Sequence, residues 1–179
     1  MLERLWAGWR TSYVQSVSDA DHRRTPDDDA VTGGSVFTRI FSSDLPDTET
    51  HILHRANTCA ALLNIYPYGT GHLLVVPYRE VADLELLSDD ETTELWAVVT
   101  DGARALKRAY APDGLNIGLN LGRPAGGTVA EHLHVHVVPR WTGDSNFMTA
   151  IANTRTLPEA LIDTAMRVRS AWPVTPPAS

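Results

Sequence analysis

Two stretches in the second half of the chain alternate with a period of two. Residues 132–137 read His-Leu-His-Val-His-Val and residues 115–121 read Leu-Asn-Ile-Gly-Leu-Asn-Leu. An extended strand sends such neighbours to opposite faces, so Leu115 to Leu121 and His132 to Pro139 are expected strands. Shorter apolar runs at His51 to Arg55 and Thr58 to Asn64 predict a pair joined at Ala56-Asn57. His72 to Tyr78 predicts another, with Pro77 at its end, where a missing N–H is tolerated. Between them Ile65 to Gly71, rich in Tyr, Pro and Gly, reads as a turn. From Ser88 the pattern becomes helical. Leu95, Val98, Val99, Ala103, Leu106 and Tyr110 fall on or near one face, and Ser88 with Glu91 makes a capping box, so a helix should run to about Tyr110. A closing amphipathic helix is expected from Leu157 to Trp172, and Leu2, Leu5, Trp6, Trp9 and Tyr13 suit one face of a short helix at the start.

Strands in succession, with helices between and after them, predict an antiparallel α+β domain. The expected organisation is a helical segment at 1–17, a polar linker or arm at 18–49, a domain at 50–173 and a Pro-rich tail at 174–179. The arm holds Asp27, Asp28 and Asp29 in a row and Gly33-Gly34, too few apolar groups to offset the entropy of ordering it.

Composition narrows the partners. The 179 residues, 43% hydrophobic and 21% charged, suit a single core. A net charge of -7 and a pI near 5.4 argue against nonspecific nucleic-acid binding, which needs a basic surface, while leaving room for a small anion at a locally positive site. No apolar stretch is long enough for a membrane span, and Met1 to Arg10 carries charge and Trp in place of a signal peptide's apolar region, so a cytoplasmic location is expected. The lone cysteine, Cys59, allows neither an internal disulfide nor a Cys-based zinc site. It lies within an apolar strand, where burial explains it better than a nucleophilic role.

The chemistry concentrates in the histidine strand. His132, His134 and His136 share one face, with Leu133, Val135 and Val137 on the other, about 7 Å apart along the strand. Charged imidazoles so close depress one another's pKa values, which favours a neutral, nucleophilic ring near pH 7. Three readings compete. Ordinary surface histidines would be a bland one; a metal site would need a carboxylate or further His, but Glu131 points to the other face and Asp144 lies beyond the strand. The third pairs the strand with the loop Gly122-Arg123-Pro124-Ala125-Gly126-Gly127-Thr128, whose amides and hydroxyl suit phosphate oxygens. A neutral His can then attack phosphorus while the loop and a second His stabilise the developing charge, with no metal required.

The run His132-Leu133-His134-Val135-His136-Val137-Val138 resembles the His-φ-His-φ-His-φ-φ motif of the histidine triad (HIT) superfamily of nucleotide hydrolases and transferases, φ being apolar. Asn64 to His72 resembles that family's upstream N-x-x-P-x-x-x-G-H segment. The resemblance implies a HIT-like fold with about five antiparallel strands, one long helix and a C-terminal helix, the sheets of two copies joining in a homodimer that is either the end state or a step to a larger assembly. By position it implies His134 as the nucleophile on the α-phosphorus, His136 on the phosphoryl oxygens and leaving group, and His132 and His72 as support that fixes tautomers. Asn64 would lie near the nucleoside sugar and Asn120 near the α-phosphate, although each also suits an ordinary turn or strand end.

Within the superfamily, Leu5-Trp6, Trp9-Arg10, Tyr13, Leu63 to Tyr68, Asn116 to Gly122, Ala130 to Trp141 and then Gly143-Asp144 and Asn146-Phe147 resemble the bacterial diadenosine tetraphosphate phosphorylases. That branch implies a nucleotide substrate and inorganic phosphate as acceptor, giving ATP and ADP. Arg123, Gly126, Gly127 and Thr128 would form the second anion site, and Trp141 would stack on a base, close the site or simply pack. Where many related bacterial proteins carry a Cys-x-x-Cys zinc pair, this chain has Ser35-Val36-Phe37-Thr38, so no structural zinc is expected. Gly69-Thr70 replaces the common Asn-Pro, and Thr128 stands where the phosphorylases tend to have Ser. A hydrolase or phosphoramidase using the same histidine is the nearest enzymatic alternative; a nucleotide-binding module with an idle triad is the non-enzymatic one.

Overall fold

The computed structural model describes residues 34–144 and 159–173. The expected helix at 1–17, most of the polar arm, Asn146-Phe147, residues 157–158 and the tail lie outside the described residues, and the closing helix begins at Leu161, after Ala160, and not at the expected Leu157.

Five antiparallel strands form one sheet: β1 (Ile52–Arg55), β2 (Cys59–Leu63), β3 (Leu73–Pro77), β4 (Gly114–Leu119) and β5 (Val135–Arg140), in the order β1-β2-β3-β5-β4. Every residue of β2 and β3 is buried, because both faces of the sheet centre are covered. This is why those strands read as continuous apolar runs instead of alternating ones. On one face Cys59, Ala61, Leu63, Leu73, Val75, Leu133, Val135 and Val137 pack with Leu95, Val98, Val99 and Leu106 of the long helix α3 (Asp89–Tyr110) and Val168 of α4 (Leu161–Ala171). On the other, Ile52, Ala60, Leu62, Leu74 and Val76 pack with Phe37.

Phe37 belongs to a helix within the stretch expected to be a polar arm. Val36–Phe41 forms α1 and Asp47–Thr50 a single turn, α2. Ser35 caps α1, its side chain accepting from the Thr38 amide. The apolar positions of α1 occupy too short a window to outweigh the polar residues around them, so the helix draws its stability from Phe37 against the sheet.

Helix α3 starts after Ser88, with both bonds of the capping box formed. Gly71 introduces β3 at φ +78°, where a Cβ would stand 3.1 Å from both Leu106 and Pro139, so glycine serves both backbone angle and packing. Strand β5 begins later than expected. The Leu133 amide donates to Val81 O at 2.6 Å and the His132 amide to Val129 O at 3.4 Å, which draws this stretch toward the loop after β3 and out of the ladder. Nonetheless Leu133 still packs under α3. Among the described residues no helix is long and apolar enough to cross a membrane.

Removing the capping hydroxyl with Ser88→Ala should cost about 1 kcal/mol, and Leu106→Ala, fully buried near the C-terminal end of α3, about 2–5 kcal/mol. Chemical denaturation of both variants checks the order; equal losses would contradict this account of the core.

Candidate active site

Four histidines meet on the α1 face of the sheet. Leu74 and Gly118 flank His136 in register, and the β4–β5 ladder ends at the Leu119–Val135 pair, so Asn120 and His134 come next in line. Among the described residues, chain neighbours apart, no atom stands within 4 Å of where a Cβ on Gly118 would sit, which leaves His136 space on its β4 side.

Hydrogen bonds fix the tautomer of each ring. Nδ1 of His134 lies 2.9 Å from the carbonyl of His132. A carbonyl only accepts, so Nδ1 carries the proton and the ring's lone pair sits on Nε2. Likewise Nε2–H of His132 donates to Pro77 O at 2.8 Å, leaving Nδ1 to accept from the Ser35 hydroxyl at 2.6 Å. His72 accepts on Nδ1 from the Tyr68 amide at 3.0 Å, so its Nε2–H donates to His136 Nδ1 at 2.9 Å. His136 must then be protonated on Nε2, an atom that is buried and has no hydrogen-bond partner among the described residues. An unpaired buried donor is costly, and one whose ring lies beside that of His134 is placed to meet an oxygen brought to that lone pair.

Burial favours the neutral form of His132, His134 and His136. It lowers the pKa values of His132 and His134, and it pushes His136 down to about 4, with the neighbouring His134 adding to the effect. Desolvation thus outweighs the mutual repulsion that the alternating pattern alone points to. His134 is 7% exposed, covered on one side by Phe37, whose ring centroid lies 5.2 Å from its own. Tyr68 lies over His72 and His136, with centroids 4.7 and 5.8 Å away.

The other candidate residues divide. Asn64 turns inward: its Oδ1 accepts from the Tyr66 amide at 2.9 Å and its Nδ2 faces His72 Nδ1 at 3.4 Å, so it backs a histidine. The Gly-rich loop departs from an open cradle of amides. The Gly126 amide donates to Arg123 O and the Gly127 amide to Gly122 O, closing a 3-10 turn at Arg123–Ala125. A Cβ on Gly127 would stand 3.0 Å from two carbonyl oxygens, which accounts for that glycine by close packing. Arg123 and Thr128 are exposed on the loop. Trp141 follows β5 at the opposite end from the histidines, roughly 20 Å from His134 along an extended chain, and its ring packs edge-on against Tyr110. Within this chain that is the packed-aromatic reading. Cys59 is buried in the sheet, its thiol pushed up to about 12 by burial and by nearby Glu94.

Pattern reading of the sequence passed over Ser35 and Glu80 as partners of the histidines. Ser35 drew notice only as the replacement for a cysteine, and the 45 residues separating it from Glu80 hide their contact. Among the described residues no group of three or more His, Cys, Asp or Glu is arranged to hold a metal ion. At the place of the zinc pair, Ser35 and Thr38 offer neutral hydroxyls already hydrogen-bonded to their neighbours, and both nitrogens of His132 are engaged. This donor set does not fit zinc.

The model of the HIT domain family matches residues 46–143, a span that holds all five strands and the four histidines, and the chain belongs to that family. It is 44% identical over 171 residues to a protein of Mycobacterium tuberculosis (strain ATCC 25618 / H37Rv) named AP-4-A phosphorylase, covering 96% of this chain and 85% of that one. A bis(5'-nucleosyl)-tetraphosphatase (asymmetrical) of Schizosaccharomyces pombe is 35% identical, over 59% of this chain and 57% of its own. Among solved structures, a zinc-bound histidine triad family protein from Mycobacterium smegmatis superposes with a TM-score of 0.63 at 32% identity, over 76% of this chain and 91% of that one.

His136 ionises at about pH 4 in the fold, against an ordinary value of 6.5. The unfolded chain therefore binds more protons between these limits, and stability is retained above about pH 6.5 and falls as the pH drops toward 4. Replacing His136 with Asn should flatten that slope in denaturation measured from pH 7 to pH 4; an unchanged slope would place its origin elsewhere.

Proposed function

We propose that this protein phosphorolyses diadenosine tetraphosphate to ATP and ADP through a nucleotidyl intermediate on His134. The observation that carries the reading is the bond from His134 Nδ1–H to the His132 carbonyl, which leaves the Nε2 lone pair as the ring's reactive edge. In the first step Nε2 attacks the α-phosphorus, a P–N bond forms, and the bond to the bridging oxygen breaks to release ATP. In the second an oxygen of inorganic phosphate attacks the same phosphorus, the P–N bond breaks, and ADP leaves with the histidine restored. The Nε2–H of His136 donates to a phosphoryl oxygen as charge develops there, the role its vacant, buried donor suits. His72 and His132 hold the tautomers, and Asn64 steadies His72. Asn120, next in register to His134, faces the α-phosphate, while Arg123 and Thr128 meet the incoming phosphate from a loop shaped by Gly126 and Gly127.

The identity to a protein named AP-4-A phosphorylase, extending over nearly the whole chain, supports phosphate as acceptor. Hydrolysis is the second reading, favoured by the tetraphosphatase relative over a shorter span. Incubation with diadenosine tetraphosphate separates them: ADP and ATP formed only with phosphate support phosphorolysis, whereas AMP and ATP formed in water support hydrolysis. His134→Ala should retain AMP binding and lose turnover by about a thousandfold or more. A variant as active as the wild type would remove His134 as the nucleophile, and AMP binding by both proteins with turnover by neither would leave only a binding module.

We further propose a cytoplasmic homodimer joined through β4. That strand is an edge of the sheet, and its Ile117 is 45% exposed although its one partner in register, Val137, is a core residue. An open apolar edge of this kind invites a second strand. Ile117→Arg should convert a dimer to a monomer in sedimentation; a wild-type protein already monomeric at micromolar concentration would refute the pairing.

A further inference from the structure

Beyond the four histidines lies a chain of hydrogen bonds with only one consistent set of donors. Pro77 O takes the His132 Nε2 proton, so His132 Nδ1 takes the Ser35 hydroxyl proton. Ser35 Oγ then accepts from the Thr38 amide at 3.1 Å. The Ser35 amide and the Thr38 hydroxyl both donate to the same Glu80 oxygen, at 2.8 and 2.6 Å. Ser35 and His132 are buried, and Phe37, two residues beyond Ser35, lies against the rings of both His132 and His134.

We infer that Ser35, Thr38 and Glu80 form a metal-free clasp that positions His134 for nucleophilic attack by fixing the ring and backbone of His132, whose carbonyl selects the His134 tautomer. None of the three touches the reacting atoms; they are positioning residues. The exposed carboxylate of Glu80 holds the N-terminus of α1 against the loop after β3, Ser35 carries that anchoring to the His132 ring, and the His132 carbonyl carries it to His134 Nδ1. Without the Ser35 hydroxyl, His132 Nδ1 is a buried acceptor with nothing to accept, and the ring is free to turn away from Pro77. The His132 carbonyl then shifts, and the Nδ1–H form of His134 loses its preference.

The rate arm of the test rests on the proposed phosphorolysis; the spectroscopic arm does not. In the full chain, Ser35→Ala should lower kcat for diadenosine tetraphosphate about tenfold, the scale of one lost hydrogen bond, while KM changes less than about twofold. Nitrogen-15 spectra of the substrate-free protein should show His134 mainly as the Nδ1–H tautomer in the wild type and as a mixture in Ser35→Ala. Ser35→Thr, which keeps the hydroxyl, should recover most of the rate and the wild-type spectrum. Glu80→Ala, at an exposed position, should reproduce the effect in weaker form and carries the test if Ser35→Ala does not fold. Wild-type kcat and an unchanged His134 spectrum in both alanine variants would overturn the clasp, as would a Ser35→Thr protein no better than Ser35→Ala. If the wild type turns over no dinucleotide, the functional reading fails, and the tautomer spectra alone decide the clasp.

Discussion

A single backbone carbonyl, that of His132, governs the chemistry available to this fold. An imidazole has two nitrogens and, when neutral, one lone pair; which edge is reactive depends on where its proton is held. By accepting from Nδ1 of His134, the carbonyl settles that question before any substrate arrives. The same logic repeats from Tyr68 through His72 to His136, where it ends on a donor with no partner among the described residues. Lone pair and donor thus come side by side, their rings 4.9 Å apart, from the conformation of the chain alone.

Holding that arrangement requires a dry setting, and the two-sided core supplies it. The aliphatic face of the histidine stretch is locked under α3, so the strand cannot roll. The histidine face is covered by α1, whose Phe37 limits water around His132 and His134. Burial lowers the proton affinity of all three rings of the triad, which preserves the neutral forms that the hydrogen bonds specify. Packing and protonation state therefore reinforce each other.

Most of the sheet was legible in the sequence because its signals are local. Alternation marked the histidine stretch and β4, continuous apolar runs marked β2 and β3, and Ser88 with Glu91 marked the start of α3. What escaped notice depends on residues far apart in the chain. Helix α1 is short and polar in its surroundings, and only its contact with the sheet gives Phe37 a purpose. The partnership of Ser35 with His132 spans 97 positions and leaves no periodic trace. The Gly-rich loop shows the reverse difficulty: its composition fits an anion cradle, yet the amides of Gly126 and Gly127 close the loop on itself. Composition reports that a backbone is free to bend but not which way its N–H groups will face.

Cys59 supplies the chain with a built-in reporter of its own integrity. Its side chain lies in the core under α3 at the start of β2, with a thiol pushed up to about 12. Only the thiolate reacts readily with alkylating or oxidising agents, so the native molecule resists both until β2 parts from its neighbours. Alkylation of that one thiol therefore clocks the opening of the sheet, and Cys59 itself escapes oxidation for as long as the chain stays folded.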